Sequence, residues 1–302
     1  MNKHALVDLG SNTIRLSVYE ELPGGKFRQL FSEKQTVGLA NYVEKGSLTE
    51  AGMKRATEAI QEFRHLLQIF GMDRMNIFAT ASLRNINNTE AAVAYIERET
   101  GFRPDVISGE EEGELSYYGA LAAAKLDDGV LFDIGGGSTE LVTFANNHVI
   151  LGTSLAIGSL NLFRQHVSGI WPKRREIEQL EMHIDDTLST VIRPKGAVPR
   201  LYGVGGTARA LLLLEQAMGN VKKDERVITI EQLDELTNIL RRRSETARNL
   251  VLRHCPSRVH TIIPGALLVN SVCHAFRCDS LYISSYGVRE GYLCQKLLKP
   301  SI

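Results

Sequence analysis

The sequence predicts an α/β fold built twice, as two copies of one unit facing each other across a cleft. Three observations predict it. Short apolar runs with a period of two alternate with longer segments of period 3.6, the pattern of strands connected by helices. The order of elements in the first half returns in the second. Each half also opens on a similar run, Asp8-Leu9-Gly10-Ser11-Asn12-Thr13 in one and Asp133-Ile134-Gly135-Gly136-Gly137-Ser138-Thr139 in the other. A repeat of domain size places like elements opposite one another, a common setting for ligand sites.

In order, residues 5–9 form an apolar strand. Over 13–19, Ile14, Leu16 and Val18 alternate with Arg15, Ser17 and Tyr19, so a second strand follows a tight Gly10-Ser11-Asn12 break. A third strand is expected over 29–36. A helix over 49–70 is stopped by Gly71, and a strand over 76–80 is followed by a helix over 88–100 stopped by Gly101. A strand over 105–107 then leads into a helix opening near Ser108. The second half gives strands over 130–134, 140–144 and 148–155, a helix over 176–191, a strand over 200–204 and a helix over 208–217. A strand over 227–230, inserted helices and a strand over 280–284 precede a last helix over 288–298. Asp127-Asp128-Gly129 is the strongest punctuation between the halves. The expected domains are therefore 1–127 and 128–302, with the last helix able to pack back on the first.

The length of 302 residues fits two domains of ordinary size. With 35 basic and 35 acidic residues the formal net charge is zero, which excludes a global field for nucleic acid or an anionic membrane. Asp8 interrupts what would be a secretory apolar run, and the longest aliphatic run, 210–214, is far short of the ~20 residues that span a bilayer. Cys255, Cys273, Cys278 and Cys294 contain no Cys-x-x-Cys pair and read as reduced thiols of a cytoplasmic protein.

The chemistry concentrates in the two opening loops. Glycines at 135–137 let successive backbone N–H groups converge on an anion, and the hydroxyls of Ser138 and Thr139 add donors. The plainer alternative is a glycine-rich β-hairpin. Asp133 and Glu140 flank the loop where a hard cation such as Mg²⁺ bridges phosphate oxygens, and the loop from Asp8 to Thr13 supplies a second cradle. Neither loop carries Gly-x-Gly-x-x-Gly or a P-loop Gly-Lys-Ser/Thr. Gly203-Val204-Gly205-Gly206-Thr207 leads from a strand into a helix and suits either an anion or a helix cap made by Thr207. Trp171-Pro172-Lys173-Arg174-Arg175 and Arg241-Arg242-Arg243 read as solvated faces. His254, Cys255, His260, Cys273, His274 and Cys278 fit no zinc spacing and read as packing residues.

Taken together with Ala79-Thr80-Ala81-Ser82-Leu83-Arg84, Ile107-Ser108-Gly109-Glu110-Glu111-Glu112 and Gly287-Val288-Arg289-Glu290-Gly291, these blocks stand in an order and spacing that resembles the exopolyphosphatase and guanosine pentaphosphate phosphohydrolase family. The resemblance runs the length of the chain. It implies the duplicated ribonuclease H-like fold of the actin-like ATPase superfamily and hydrolysis of a terminal phosphoanhydride, with Mg²⁺ as cofactor and a water attacking in line. It also implies a homodimer. The family's general base, aligned on Ser-Gly-x-Glu-Glu, falls at Glu112. Local physics points the same way: Ser108 is placed to cap, Glu111 three residues on to complete a capping box, and Glu110 to complement the helix dipole, which leaves Glu112 without a local task.

The site expected on these grounds has Glu112 as base. Gly10, Ser11, Asn12, Thr13, Arg15, Arg84, Gly135, Gly136, Gly137, Ser138, Thr139, Gly205, Gly206 and Thr207 are expected on phosphate, and Asp133, Glu140 and Asp8 on the metal. Arg15 on an alternating strand also suits a solvent-facing residue; the family match favours phosphate. Gly113-Glu114 follows Glu112 where the family often has Ala-Arg, and Val37-Gly38-Leu39 lacks the family's arginine, so short polyphosphate is the expected substrate. Guanosine pentaphosphate or another nucleotide is the alternative. A kinase of the same superfamily and an actin-like nucleotide switch or filament are the rival readings.

Overall fold

The computed structural model describes residues 2–194, 196 and 198–298, which divide into two compact units. Unit 1 comprises residues 1–115 and 289–302, and unit 2 residues 116–288.

Unit 1 begins with three antiparallel strands, β1 (Lys3–Leu9), β2 (Thr13–Leu22) and β3 (Lys26–Thr36). A two-rung hairpin, β4 (Val43–Glu44) and β5 (Ser47–Leu48), precedes α1 (Glu50–Ile69), whose first turn is capped by the Thr49 hydroxyl accepting from Gly52 N–H. β6 (Asn76–Ala79) pairs parallel to β1, the short α2 (Ala81–Arg84) and α3 (Thr89–Thr100) follow, and β7 (Asp105–Val106) closes the sheet order β3-β2-β1-β6-β7. Gly101 ends α3 in a left-handed conformation at φ 79°, which a glycine adopts without a Cβ penalty. The core of this unit joins Val7, Leu9, Ile14, Leu16 and Val18 of the strands to Ile60, Phe63 and Leu67 of α1.

The helix α4 (Gly109–Ala123) carries the chain from one unit to the other, and the division falls inside it, between Leu115 and Ser116, not at the Asp127-Asp128-Gly129 turn. Packing explains the difference. Glu111 and Glu112 engage Lys296 and Arg84 of unit 1, whereas Tyr117 and Ala120 pack on Leu131, Val142 and Phe144 of unit 2.

Unit 2 repeats the scheme. β8 (Gly129–Ile134), β9 (Thr139–Ala145) and β10 (His148–Leu155) are antiparallel, and α5 (Ser159–His166) and α6 (Arg174–Ser189) follow. β11 (Arg200–Val204), α7 (Gly205–Met218), β12 (Val227–Thr229), α8 (Ile230–Arg241), α9 (Glu245–His254), α10 (Ile262–Phe276) and β13 (Ser280–Ile283) complete the unit. The strand order is β10-β9-β8-β11-β13-β12. β8, β11 and β13 are parallel and stand where β1, β6 and β7 stand in unit 1, while β12 is an added antiparallel edge. Central strands buried on both faces need apolar residues at successive positions, and β8 meets this: Val130, Phe132 and Ile134 face one core and Leu131 the other.

The last helix is shorter than its periodicity suggests. α11 (Val288–Tyr292) passes into a π-helical turn over Leu293–Leu297, and this segment from Arg289 onward belongs to unit 1. Tyr292 stacks on Phe78 of β6 at 4.8 Å, and its hydroxyl donates to Asp105. Gly291 meets the backbone of α4 so closely that a Cβ there would lie 1.8 Å from the Leu115 carbonyl oxygen. Gly291→Ala is therefore expected to destabilise unit 1 by about 3 kcal/mol, the upper range for overpacking against backbone. Gly169→Ala, which meets nothing within 4 Å, should leave the thermal unfolding curve unchanged.

Candidate active site

In unit 1 the first loop is closed by the Gly10 N–H donating to the Thr13 carbonyl at 3.1 Å. The carbonyls of Ser11 and Asn12 are turned toward Ala40 and Gly38, whose N–H groups donate at 2.9 and 2.8 Å. Gly38 does this at φ 66°, a conformation that suits glycine in the Val37-Gly38-Leu39 segment. In a trans peptide the C=O and the following N–H point in opposite directions. The N–H groups of Asn12 and Thr13 are thereby aimed away from residues 38–40.

Beside this loop, β2 presents Arg15, Ser17 and Tyr19 on one face, and the register sets Asp8 opposite Arg15. Burial and the neighbouring Arg289 guanidinium both push the Arg15 pKa below its usual value. Asp8, expected at the metal, has the Arg289 Nε at 4.0 Å from its Oδ2.

The glutamate segment departs from its expected local roles. Ser108 caps α4, its Oγ accepting from the Glu111 N–H at 3.1 Å. The Glu111 side chain does not complete the capping box by reaching back; its Oε1 accepts from Lys296 Nζ at 2.6 Å, a partner far along the chain that no local rule anticipates. Glu112 is 7% exposed, and its Oε2 accepts from Arg84 Nη1 at 2.7 Å, while the same nitrogen reaches the Ile107 carbonyl at 3.3 Å. Glu112 thus has a local task, contrary to the expectation by elimination: it is half of a buried ion pair. Arg84, expected on phosphate oxygens, is the other half. α2 places it there, anchored by the Ser82 hydroxyl donating to the Leu9 carbonyl at the end of β1.

In unit 2 the second loop has the same closure, Gly135 N–H to the Ser138 carbonyl at 3.0 Å. The carbonyls of its three glycines are committed to the start of α5. Gly135 O accepts from Ser159 N–H and Oγ, Gly136 O from the N–H groups of Leu160 and Asn161, and Gly137 O from Asn161 Nδ2, at distances of 2.9–3.1 Å. The N–H groups that follow these carbonyls, Gly136 and Gly137 among them, consequently point away from α5. Gly158 permits the approach, since a Cβ there would sit 2.7 Å from Gly136. Ser159 and Asn161 are not among the residues expected from the sequence; the signal that could have found them is Gly158-Ser159-Leu160-Asn161, a glycine followed by two helix-capping residues at the N-terminus of α5. Ser138 is buried at 3% exposure. Thr139, expected to donate to phosphate, instead spends its hydroxyl proton on the Ile157 carbonyl at 2.7 Å, because the strand alternation turns it into the core.

Asp133 and Glu140 are directly opposite in the β8–β9 register, on one face, and 7% and 1% exposed. The Ser116 hydroxyl donates to Asp133 Oδ2 at 2.7 Å, and the Ser154 hydroxyl to Glu140 Oε1 at 2.8 Å. Two carboxylates opposed in an antiparallel pair repel each other, and a hard divalent cation is the chemical species that such an oxygen pair suits. Gly205, at φ 86°, makes room for Asp133: a Cβ there would lie 2.3 Å from its Oδ1. Gly206 likewise faces the Arg258 guanidinium, whose Nη2 would meet a Cβ at 1.9 Å. Thr207 is 2% exposed, its hydroxyl has no hydrogen-bond partner among the described residues, and it does not cap α7. The structure thus gives Gly205 and Gly206 close side-chain neighbours and Thr207 a place in the core.

Cys255, Cys273 and Cys278 are buried in the unit 2 core, and no described helix is long and apolar enough to cross a membrane.

Comparison with known proteins agrees with this architecture. A model of the Ppx/GppA phosphatase family matches residues 17–300. Exopolyphosphatase 1 of Mycobacterium tuberculosis is 27% identical over 304 residues, covering 97% of this chain and 87% of that protein. The crystal structure of the Aquifex aeolicus member of the Ppx/GppA family aligns with a TM-score of 0.81 at 26% identity, covering 99% of both chains. An exopolyphosphatase from Cytophaga hutchinsonii shares the fold, with a TM-score of 0.83 at 22% identity over 97% of this chain and 96% of that one. The chain belongs to the Ppx/GppA phosphatase family, a family of phosphoanhydride hydrolases with the duplicated actin-like ATPase fold.

Proposed function

We propose that this chain is an exopolyphosphatase-type hydrolase that removes terminal phosphate from short inorganic polyphosphate with the help of Mg²⁺. The observation that carries the reading is the commitment of the 135–137 carbonyls to α5, which turns the N–H groups of Gly136 and Gly137 away from that helix and supports a phosphate on that side. Within unit 1, the N–H groups of Asn12 and Thr13 are likewise turned away from residues 38–40.

In the reaction, a water oxygen bonds to the terminal phosphorus as the bridging P–O bond breaks. The water proton passes to Glu112, whose orientation is set by the ion pair with Arg84. Arg84 is on this reading a positioning residue. Asp133 and Glu140 suit Mg²⁺, which usually takes one or two protein carboxylates and completes its shell with waters and phosphate oxygens. When bound, the ion neutralises phosphate charge. Arg15 carries positive charge to the first loop.

The test is phosphate release by the purified protein with Mg²⁺, using tripolyphosphate, longer polyphosphates, guanosine pentaphosphate and ATP. Orthophosphate from tripolyphosphate, with chains shortened by one unit at a time, is the expected result. Turnover confined to guanosine pentaphosphate would move the substrate to the nucleotide. ATP consumption that needs an acceptor, or ATP-driven polymerisation without phosphate release from polyphosphate, would replace the hydrolase reading by a kinase or a filament.

A further inference from the structure

The polar face of β2 is covered by a segment far away in sequence. Arg289 donates through Nη1 to Ser17 Oγ at 2.8 Å, and the adjacent Glu290 accepts from the Tyr19 hydroxyl at 2.5 Å. Ser17 and Tyr19 are fully buried and Glu290 is 2% exposed. Burial and the neighbouring Glu290 carboxylate push the Tyr19 phenol pKa up, so it remains the donor. Glu290 thereby pins the backbone from which Arg289 extends along the strand, past Ser17, to Asp8.

The hydrogen positions in this network follow from valence alone. Ser32 Oγ has one proton and gives it to the Leu16 carbonyl at 2.9 Å. In the 3.1 Å contact between Ser17 and Ser32, Ser17 must then be the donor. Guanidinium groups only donate, so Arg289 ends on Ser17, and Arg15 ends on Ser32 at 3.4 Å. Two cations therefore converge on one cross-strand serine pair, and the carboxylate set between them by register is Asp8, opposite Arg15 and 4.0 Å from Arg289. Lys34 is the register partner of Arg15 on the other side, and Glu290, which accepts from the neutral Tyr19 hydroxyl, is the second carboxylate acting on Arg15, so three cations stand against two carboxylates. The patch beside the first loop carries more positive than negative charge at close quarters, an arrangement that an added anion relieves.

We propose that Arg289 is a positioning residue for the first phosphate loop: it fixes Asp8 directly and Arg15 through Ser17 and Ser32, and so holds the positive charge against which substrate phosphate binds. This rests on the phosphohydrolase reading above and extends it to a residue that this reading leaves without a role. The effect falls on binding more than on the chemical step, since Glu112 is held separately by Arg84.

Arg289→Ala is expected to raise the KM for tripolyphosphate about 10- to 100-fold, the loss of one charge-assisted contact, with a smaller change in kcat. Arg289→Lys, which keeps the charge without the fork, should fall between Ala and wild type. Millimolar guanidinium added to Arg289→Ala should restore part of the lost affinity, which a merely structural defect would not show. In parallel, calorimetric titration with tripolyphosphate in EDTA, without Mg²⁺, reads binding without turnover. Wild-type affinity in Arg289→Ala overturns the proposal, as does an affinity loss that neither lysine nor guanidinium mends. If wild type binds tripolyphosphate and Arg289→Ala does not, yet neither releases phosphate, the hydrolase reading fails while the role of Arg289 in anion binding stands.

Discussion

Glu112→Gln is expected to lower turnover about 10²- to 10⁴-fold, the range over which a positioned general base contributes. Glutamine keeps an oxygen for the Arg84 contact at 2.7 Å but cannot take a proton from water. The substitution also leaves the guanidinium of Arg84 without its counter-charge in a largely buried setting, where breaking an ion pair costs more than the pair contributes. A lower melting temperature is therefore expected alongside the lost turnover. The two effects separate by measurement: single-turnover phosphate release well below the midpoint of unfolding reads the chemistry, and circular dichroism at the same temperature reads the fold. A folded Glu112→Gln enzyme with wild-type turnover would falsify the assignment of the base.

Asp133→Asn should lower activity about 10²-fold and raise the Mg²⁺ concentration needed for half-maximal rate, since removing several kcal/mol of charge stabilisation changes the rate tenfold for each 1.4 kcal/mol or so. The asparagine side chain retains an oxygen for the Ser116 hydroxyl, which donates to Asp133 Oδ2 in the native chain, so the local hydrogen bonding survives. The substitution also relieves repulsion with Glu140 across the register. In the absence of metal the variant is thus expected to melt no lower than wild type, and Mg²⁺ should stabilise it less. Activity measured against Mg²⁺ concentration, with thermal melts at each concentration, checks both. Unchanged Mg²⁺ dependence in a folded Asp133→Asn protein would remove the metal from this carboxylate pair.

Much of the fold is legible because the strongest signals are local. The alternation in β2, the apolar run of β8 and the glycine after α3 each depend on a few neighbouring residues, and the structure places strands and a helix end there. The duplication is legible for the same reason, and the two loops close with equivalent hydrogen bonds, Gly10 to Thr13 and Gly135 to Ser138. The short helices α2 and α5 are absent from the expected elements, being too brief to show a period of 3.6. The division between the units is expected at a turn, because a turn is visible in sequence, while the packing that splits α4 is not.

The site shows the same limit in its details. Elimination among Glu110, Glu111 and Glu112 rests on local helix rules, yet both Glu111 and Glu112 are engaged by side chains from elsewhere, Lys296 and Arg84. Thr139 reads as a loop donor in the sequence, and its hydroxyl faces inward to Ile157. Gly205 and Gly206 suggest an anion loop, and what approaches them is the Asp133 carboxylate and the Arg258 guanidinium.

The strands, most helices, the repeated unit and the residues that share a strand face follow from the backbone period and nearest-neighbour sterics, so the unfolded chain already carries them. That much sets Arg15, Ser17 and Tyr19 on one side of β2. The closure of this polar side by Arg289 and Glu290, more than 270 positions further along the chain, exists only once the unit has folded. Such a pairing depends on loop closure and on the burial of both partners together, and neither leaves a trace in the local pattern.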